Sequence, residues 1–456
     1  MARGKKKKFL TPEERLQATL VPESEQPYKV PKNWICFRFT SLIDIEGGTQ
    51  PPKSQFINEY REGYIRLVQI RDFTSDKYIV FVPDTAKLKH FNEDDILIAR
   101  YGASLGRICT GMSGAYNVAL AKTIFSSNIL NRKYVYWMLQ SESFQAPLMG
   151  ISRTAQAGFN KEDLSTFAMP LPPLSEQQRI VNRIESLFAK LDEAKQKAQD
   201  ALDSFETRKA AILHKAFTGE LTAQWRKEHG VGMESWETYE LVECFEIVSG
   251  IQKTPARSPK DNPIPYLAVA NVYRDKIDLS DIRYFEVTPE EIEKLKLQDK
   301  DILIVEGNGS GNEIGRCAMW HNELPLCIHQ NHIIRMRNKT ADVLPEYVLY
   351  YLNSQVGRSV MQERAKTTAG LYNLSAGKVK TIPLAFASLD EQIEIVRILD
   401  DLLVKEQQAK EAAEGVLDQI DLIQKAILAR AFRGELGTND PNEESAVELV
   451  KRALSN

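Results

Sequence analysis

The sequence predicts an α+β protein with an internal pseudo-two-fold repeat, in which two mixed α/β modules are separated by two long antiparallel coiled-coil helices. Three observations lead to this prediction: a repeated string, a β-rich stretch that precedes each copy of it, and a helical period shared by both copies. The string AILHKAFTGELTA (211–223) recurs as AILARAFRGELGT (426–438), and Ala-Ile-Leu, Ala-Phe and Gly-Glu-Leu stand at matching positions 215 residues apart. Each half of the chain therefore ends in the same way.

The repeat extends through most of the chain, at offsets that drift from 202 to 215. The string IRLVQI (65–70) is matched with LAVANV (267–272) at an offset of 202. Further on, PPLSEQQRIV (172–181) is matched with ASLDEQIEIV (387–396) at 215. We interpret the drift as a difference in loop lengths inside each half, because the offset stays at 215 once the helical part begins.

Each half has a mixed part followed by a helical part. Strings such as DILIV, KYIVFV and HIIRMR in the mixed parts are rich in β-branched and aromatic residues and are separated by Gly, Pro and Asn, which is typical of strands joined by turns. The predicted segments are a basic arm and lead-in (1–33), a first module (34–173), a long helix (174–220), a linker (221–235), a second module (236–386), a second long helix (387–436) and a tail (437–456).

Both helical segments carry apolar residues at alternating steps of four and three, which places them on one stripe and is typical of a coiled-coil seam. The seam positions are Ile180, Ile184, Leu187, Leu191, Ala194, Ala198, Ala201, Phe205 and Ile212, with Arg208 in the one gap, and Ile395, Leu399, Leu402, Ala409, Ala413, Val416, Ile420, Ile423 and Ile427, with Glu406 as the polar exception. We expect the two stripes to pair, because each is too long for one small module to cover. The alternative is that each stripe packs on its own module.

The helix ends are also predicted from single residues. Ser175, together with Gln178, and Asp390 are predicted N-cap residues, because their side chains can accept hydrogen bonds from the first backbone amides. Gly219 and Gly434 are predicted to stop the two helices in the left-handed conformation.

Composition and charge limit the class of protein. With 456 residues, 43% hydrophobic and 27% charged, the chain is typical of a globular protein of about three domains. Its five cysteines form no CxxC pair, which argues against a disulfide framework or a zinc ribbon. No apolar run approaches the ~18 residues of a membrane span, so we expect a cytoplasmic protein. A net charge of −3 argues against coating nucleic acid by bulk charge but allows binding through local loops.

The repeat and its motifs resemble the specificity subunit of type I restriction–modification enzymes. The motifs are VPESEQPYKVPKNW (21–34), PLPPLSEQQRIV (170–181), AFTGELTAQWR (216–226) and AFRGEL (431–436), and the resemblance covers nearly the whole chain. It implies that each module is a target-recognition domain that reads one half of a split, asymmetric double-stranded DNA sequence. It also implies that the helices dock two modification (methyltransferase) subunits, which restriction (translocase–nuclease) subunits join. The second copy departs from the proline-rich lead-in, since it has IPLAFASLDEQ there.

The resemblance further implies a non-catalytic chain that holds no cofactor, with S-adenosylmethionine expected in the partner methyltransferase. Two other classes remain open: a self-contained DNA methyltransferase and a structural coiled-coil scaffold. The absence of a glycine-rich cofactor loop argues against the first, and the presence of two elaborate, divergent modules argues against the second.

Candidate DNA-binding residues were chosen because Arg, Lys, Asn and Gln read base edges, while Arg, Lys and hydroxyl groups contact phosphates. In the first module they are Lys53, Gln55, Gln69, Arg71, Arg100, Tyr101, Ser104, Arg107, Arg153, Thr154, Gln156 and Asn160. In the second they are Lys253, Arg257, Asn271, Asn308, Ser310, Asn312, Arg316, Lys366, Thr367, Thr368 and Asn373. The strings 152–160 and 365–373 are preferred because each ends the β-rich part just before its helix. The alternative for each residue is a solvated surface side chain.

Three other patterns were weighed and set aside. GNGSGNEIG (307–315) lacks the glycine spacing and the following helix of a dinucleotide loop. NPIPY (262–266) is similar to the NPPY that holds a flipped adenine in methyltransferases but has an additional residue. Five potential zinc ligands lie close in sequence, namely Cys317, His321, Cys327, His329 and His332. The string CIHQNHIIRM (327–336) favours a strand whose alternate side chains face opposite ways, so no metal is expected.

Overall fold

The chain forms two compact units, one of which is discontinuous in sequence. A computed structural model describes residues 11–151, 158–307, 313–365 and 372–455. The first unit consists of Met1–Ala198 with Gly415–Asn456, and the second is Gln199–Glu414. Within the described ranges no helix combines the length and the apolar character that a bilayer span requires.

The first unit contains two four-stranded sheets and one two-stranded sheet. One four-stranded sheet is antiparallel and has, in spatial order, the strands Ile43–Gly47, Leu120–Phe125, Leu97–Ala99 and Ile108–Cys109. The other has Phe81–Pro83, Tyr64–Val68, Gly114–Tyr116 and His90–Phe91, and its central pair is parallel. The two-stranded sheet joins Ile35–Arg38 to Ala168–Leu171.

Helices cover these sheets and complete the core of the first unit. They are Pro12–Thr19, Phe39–Leu42, Arg132–Gln140, Glu142–Ile151, Lys161–Leu164, the beginning of Leu174–Asp203, the end of Leu389–Phe432, and Ala446–Ser455. The buried core combines Tyr134 and Ile184 with Phe432, Ala446 and Val450. The C-terminal segment is therefore an integral part of the N-terminal module.

The second unit repeats this arrangement. Its antiparallel four-stranded sheet has, in spatial order, Phe245–Ser249, Ile333–Asn338, Ile302–Val305 and Cys317–Met319. The smaller sheets are Arg283–Glu286 with Pro263–Leu267 and Ile328–His329, Val272–Tyr273 with Lys276–Ile277, and Glu237–Glu240 with Pro383–Phe386. The helices that lie wholly in this unit are Phe205–Phe217, Ala223–His229, Leu241–Cys244, Pro289–Leu295, Pro345–Asn353, Gln355–Ala365 and Ala376–Lys380.

Strand register confirms the repeat and corrects one of its offsets. Ile35 pairs with Leu171, and Glu237 pairs with Phe386, so both partners follow the predicted offsets of 202 and 215. The match of 65–70 with 267–272 was wrong by three residues. Parallel pairing joins Val68 to Tyr116 in one unit and Leu267 to His329 in the other, which sets the offset there at 199. Short apolar strings such as these can be aligned in several registers, and only the residues with which each strand pairs show which register is correct.

The first long helix is interrupted at Ser204, so the predicted unbroken segment is two helices, Leu174–Asp203 and Phe205–Phe217. The Ser204 hydroxyl donates to the carbonyl oxygens of Asp200 (2.8 Å) and Ala201 (3.1 Å). A serine that bonds back to the preceding turn in this way competes with the backbone and bends helices. The second long helix, Leu389–Phe432, is continuous.

The two long helices run antiparallel where they meet within the second unit. The one polar residue in each predicted seam forms an ion pair with the other, since Arg208 Nε donates to Glu406 Oε2 at 2.8 Å. Lys410 Nζ lies 4.9 Å from the centre of the Phe205 ring. An earlier residue of one helix therefore meets a later residue of the other, which is the antiparallel pairing predicted.

The seam of the second helix is only partly as predicted. Of the predicted positions, Ile395, Leu399, Ala413 and Ile420 are buried, whereas Val416 is 40% exposed and Ile423 is 42% exposed. Buried Ile420 lies between the two exposed positions, so the four-three spacing marks candidate positions but does not decide which of them have a neighbour to pack against.

Helix ends also differ in detail from the prediction. Ser175 lies inside the first turn, and its hydroxyl donates to Glu443 Oε1 at 2.7 Å rather than capping the helix. The second helix is capped by Ser388, whose Oγ accepts from the Glu391 amide at 3.4 Å, and not by Asp390. Gly219 and Gly434 have φ of +77° and +76°, so both predicted stops are confirmed.

The repeated string closes each module against the helix that follows it. In the first unit Phe432 packs edge-on against Tyr134, with ring centres 5.3 Å apart. In the second, Phe217 packs in the same way against Tyr347, also at 5.3 Å. The end of one long helix thus packs beside the beginning of the other in each unit. This packing explains why the chain contains the same string twice.

We call the place in each unit where the end of one long helix packs beside the beginning of the other a junction. A glutamate–glutamine pair at the beginning of each long helix forms hydrogen bonds at its junction. The carboxylates of Glu176 and Glu391 are fully buried and accept from the hydroxyls of Thr438 (2.6 Å) and Thr222 (2.7 Å), which follow the two Gly-Glu-Leu strings. Gln177 Nε2 donates to the carbonyls of residues 129 and 172, and Gln392 Nε2 donates to those of residues 342 and 387. The Glu-Gln sequence recurs because both residues satisfy buried polar groups of the neighbouring turns.

Candidate nucleic-acid interface

In each unit two loops lie side by side. One follows an inner strand of the antiparallel four-stranded sheet, Leu97–Ala99 or Ile302–Val305, and the other precedes a short helix, Lys161–Leu164 or Ala376–Lys380. In the first unit Arg100 Nε and Nη2 donate to the Phe159 carbonyl oxygen at 3.3 and 3.1 Å. In the second, Gly307 and Asn373 form an isolated antiparallel bridge. The structure therefore brings together loops that lie far apart in sequence and that carry predicted residues.

The Arg100 site has a defined geometry. The guanidinium lies 5.2 Å from the centre of the Tyr101 ring and 5.9 Å from that of Phe159. Gly158 has φ of +51°, and a Cβ atom there would lie 2.4 Å from the Tyr101 ring. Glycine is therefore required for the close approach of the two loops. Tyr101 and Asn160 remain exposed beside this site.

A second cationic and aromatic surface on the first unit includes residues that the sequence reasoning missed. Predicted Arg71 is exposed, and its guanidinium lies 4.9 Å from the centre of the Tyr78 ring. Lys77 lies 5.6 Å from the same ring. Tyr60 is 70% exposed nearby in the chain, against Phe81. The detectable signal was the aromatic residue next to a lysine in SDKYIVF, since stacking and cation–π contacts suit nucleic acids.

The other candidates of the first unit lie at the surface as expected. Lys53 and Gln55 are exposed in a short 3-10 helix. Ser104 is half-buried in another short 3-10 helix. Arg107 is exposed, although it donates to Thr74 Oγ1 at 2.9 Å and to the Phe73 carbonyl at 3.2 Å.

Three predicted residues have structural roles. Asn271 is 4% exposed: its Oδ1 accepts from the Ala268 amide (2.8 Å) and its Nδ2 donates to the carbonyls of residues 278 and 281. We therefore remove Asn271 from the candidates. Asn160 caps the helix Lys161–Leu164 through its Oδ1, and the Gln69 amide nitrogen is buried. A capping asparagine in a loop has the same sequence signature as a base-reading one.

The second unit exposes a different set of side chains. Lys253 and Asn373 are exposed. Arg257 forms a bidentate ion pair with Glu291, at 3.0 and 2.7 Å, so a carboxylate of the same unit already neutralises its charge. Arg316 is largely buried, donates to the Val269 carbonyl at 3.1 Å, and lies 5.5 Å from the centre of the Tyr273 ring.

Part of the predicted interface lies outside the described residues. These residues are Arg153, Thr154, Gln156, Asn308, Ser310, Asn312, Lys366, Thr367 and Thr368, together with the basic run KKKK (5–8). Their predicted contacts stay predictions.

Of the residues considered as zinc ligands, Cys317, Cys327 and His329 are buried in the core, whereas His321 and His332 are exposed. The string 327–336 forms two strands, Ile328–His329 and Ile333–Asn338, rather than one. Burial raises the pKa of the Cys327 thiol to about 12, which keeps it protonated, whereas zinc binds the thiolate. In the described part of the chain, no group of three His, Cys, Asp or Glu side chains could hold a metal ion.

His329 predicts a measurable pH dependence of stability. Its ring is fully buried, with Nδ1 2.9 Å from the Ile333 carbonyl, and burial lowers its pKa to about 4. An unfolded imidazole binds a proton near pH 6.5, so between pH 6.5 and 4 the unfolded chain binds more protons and stability falls as pH falls. We expect up to about 1.4 kcal/mol per pH unit from this residue. Urea unfolding at pH 7 and pH 5 measures it.

The matched controls for this measurement are two histidine variants. His329→Asn should lose less stability between pH 7 and pH 5 than the unmodified protein. His321→Asn replaces an exposed ring in the same unit and controls for the substitution of a histidine as such. Equal pH dependence in the unmodified protein and His329→Asn would contradict the prediction.

Comparison with known proteins identifies the family. The family described as Type I restriction modification DNA specificity domain matches residues 31–202 and 233–414. The chain is 27% identical over 432 residues to the EcoKI specificity subunit of Escherichia coli K12, with 90% of each chain covered. It is 23% identical over 425 residues to the StySPI specificity subunit of Salmonella potsdam, again with 90% of each covered.

Solved structures show the same fold. The HsdS subunit from Thermoanaerobacter tengcongensis matches with a TM-score of 0.64 and 19% identity, over 91% of this chain and 100% of that one. A chain from a study of complex assembly and conformational transition in the type I restriction–modification system matches with a TM-score of 0.64 and 18% identity, over 90% and 100%. The chain belongs to the family of type I restriction–modification DNA specificity proteins.

Proposed function

We propose that this chain is the non-catalytic DNA-recognition subunit of a type I restriction–modification enzyme. It reads an asymmetric, bipartite duplex, one half-site per unit, and docks two methyltransferase subunits, through which restriction subunits join. The methyltransferase subunits bind S-adenosylmethionine and carry out methyl transfer. The observation that carries the proposal is the repeat itself, in which similar junctions close two modules that differ on their surfaces.

The difference between the modules supports two different half-sites. The first unit has Arg100 between two aromatic rings, whereas the corresponding position of the second is Glu306, whose carbonyl accepts from the Leu374 amide at 2.7 Å. The first unit exposes Arg71 over Tyr78, while in the second Arg257 is neutralised by Glu291. Two surfaces with different charges and shapes read different bases.

The long helices offer docking surface for partner helices. On Leu389–Phe432, Val404 is 55% exposed and Leu422 is 65% exposed, and Ile393, Val416 and Ile423 are exposed as well. Apolar side chains of this size along one exposed helix are typical of a helix-packing interface. The junctions at Glu176 and Glu391 are alike, and this internal repeat supports two copies of one partner.

Exchange of one module tests the proposal. Residues 34–173 are replaced by the corresponding module of another specificity subunit, while the segments that close it, 174–184 and 428–450, are retained so that the core stays matched. We expect the methylated sequence to change in one half-site only, because each unit makes its own base contacts. Methylome sequencing of cells that carry the variant with its methyltransferase measures both half-sites.

The reciprocal exchange of residues 236–386 is the matched control and should change only the other half-site. A change in both half-sites after either exchange would show that the units do not read DNA independently. Methylation of DNA by the isolated chain would favour the rival class, a self-contained methyltransferase. If the complex methylates the same sequence whichever modules are present, the result would favour the other rival class, a structural coiled-coil scaffold.

A further inference from the structure

The apolar parts of the two junctions are nearly interchangeable. Ala-Ile-Leu, Ala-Phe and Gly-Glu-Leu are the same in both repeated strings, and Phe217 and Phe432 each lie 5.3 Å from the ring of a tyrosine. Cores accept apolar residues of matching size and pattern, so these residues alone do not determine which string closes which module. The polar residues that follow the strings differ. We call residues 438–445 the first closing segment and residues 222–229 the second closing segment.

The first closing segment is acidic and meets a basic side chain of the long helix. Its sequence, TNDPNEES, contains three acidic residues and neither Lys nor Arg. Glu443 accepts hydrogen bonds from Arg179 Nη1 at 2.9 Å and Nη2 at 2.7 Å, and from the Ser175 hydroxyl at 2.7 Å. A guanidinium that binds in this bidentate geometry selects a carboxylate.

The second closing segment has the opposite charge. Its sequence, TAQWRKEH, contains an arginine, a lysine and a histidine but only one acidic residue. Arg226 Nη1 donates to Glu391 of the long helix at 2.5 Å, and the two side chains are 8% and 0% exposed. The guanidinium therefore comes from the closing segment at this junction, whereas it comes from the helix at the first junction.

The two long helices carry opposite charges at the position that faces the closing segment. At the offset of 215, Arg179 corresponds to Glu394, and Ser175 corresponds to Asp390. Arg179 Nε also donates to the buried Glu176 at 3.0 Å, so the first helix supplies a guanidinium for its own glutamate. The second helix has no arginine at the equivalent position, and its buried glutamate depends on the closing segment.

The second closing segment would meet its own charge at the first junction. Arg226 would lie beside Arg179, and two guanidinium groups would share the carboxylate of Glu176. The first closing segment would be equally mismatched at the second junction, where Glu443 would face Glu394 and no guanidinium would be supplied. Like charges that face each other at a partly buried contact disfavour the wrong partner.

Only a second copy of the chain presents the second closing segment to the first junction. Within one chain the helix Leu174–Asp203, which is about 45 Å long at ~1.5 Å per residue, separates the first junction from that segment. Every copy carries both repeated strings, so exchange of segments between copies is the error that an internal repeat makes possible.

We propose that each junction accepts a closing segment of one charge sign only. The first junction selects an acidic segment through Arg179, and the second selects a basic segment through Glu391. The first junction thereby rejects the basic segment of a second copy, and two chains do not close each other's modules. The proposal concerns closure of the modules and is independent of the DNA that they read.

Reversal of the charges at the first junction tests the selection. Glu443→Arg and Arg179→Glu should each weaken closure, because like charges then face each other. We expect hydrogen exchange of the helix Ala446–Ser455 to become about tenfold faster in either variant of the full-length chain. The double variant should regain most of the protection, because opposite charges face each other again.

Two control variants separate charge from other effects. Glu444→Arg reverses the neighbouring charge of the same segment, where the side chain is 59% exposed, and should change the exchange much less. Glu443→Gln removes the charge without reversing it and should have an intermediate effect, and it serves as the test variant if Glu443→Arg does not fold.

Refolding of the double variant tests the rejection of a second copy. Both of its junctions accept basic segments, so both closing segments fit both junctions. After refolding from urea, we expect dimers of the full-length chain whose fraction rises with protein concentration, measured by light scattering. The unmodified chain should give few dimers. Glu443→Arg is the matched control, because its first junction still carries Arg179 and rejects a basic segment.

Three results would overturn the proposal. If the double variant regains no protection, the pair holds the junction through its geometry and not through its charge. If the double variant regains protection but forms no more dimers than the unmodified chain at any concentration, the charge sign does not exclude a second copy. If Glu444→Arg accelerates exchange as much as Glu443→Arg, the effect does not depend on the contact with Arg179.

Discussion

Replacing Phe432 by alanine is expected to destabilise the N-terminal module by about 3–5 kcal/mol, although this residue is near the other end of the chain. Its ring is fully buried and packs against Tyr134 in the core of the first unit. Removal leaves a cavity between the end of one long helix and the beginning of the other. Hydrogen exchange of the strands Leu97–Ala99 and Leu120–Phe125 measures the effect, since they belong to the same unit.

The matched variant is Phe217→Ala, which removes the equivalent ring from the second unit. It packs against Tyr347 and Tyr351, so exchange should accelerate in the strands Ile302–Val305 and Ile333–Asn338 instead. Each variant should leave the other unit protected. If Phe432→Ala exposed the second unit and spared the first, the discontinuous unit described above would be wrong.

Replacing Glu391 by alanine is expected to cost about 3–5 kcal/mol in the second unit, because it leaves a buried charge without its partner. Arg226 Nη1 donates to this carboxylate at 2.5 Å, and the two side chains are 8% and 0% exposed. Thr222 and the Trp236 indole also donate to it, at 2.7 and 2.9 Å. Two buried donors, Arg226 and Thr222, and the half-buried Trp236 indole would lose their acceptor together. Urea unfolding, followed by a probe in the second unit, measures the loss.

Glu394→Ala is the control, because its ion pair with Arg397 lies at the surface of the same helix and should contribute little to stability. Replacing both Arg226 and Glu391 by methionine should recover part of the loss, since no unpaired charge then remains. A cost in Glu391→Ala no larger than that in Glu394→Ala would show that the buried pair does not hold the junction.

The fold could be predicted from sequence at positions where the residue type allows few alternative conformations. Gly219 and Gly434 have the positive φ expected of helix stops, because few other residues adopt it. The registers that pair Ile35 with Leu171 and Glu237 with Phe386 follow the offsets read from the strings. The seam could not be predicted along its whole length, because Val416 and Ile423 fit the four-three spacing but are exposed, and spacing alone does not say which positions have a neighbour to pack against.

The candidate interface could be predicted only as a set of loops. That Arg100 and Phe159 meet follows from the sheet topology, which a single sequence does not state. Asn271 and Arg257 were chosen for side-chain chemistry, but their partners are contributed by segments that pattern alone does not bring together. The counterpart of Asn271 in the first unit is Asp72, which also accepts from the backbone at the start of its turn.

The discontinuity of the first unit also sets the order in which the protein can be completed during synthesis. A ribosome makes the chain from the N-terminus, so all of Gln199–Glu414 is synthesised before Phe432, Ala446 and Val450. The module made first therefore waits for the last residues translated, with an open core, while the module made second can close at once. A premature stop codon near the C-terminus would spare the later module and disable the earlier one.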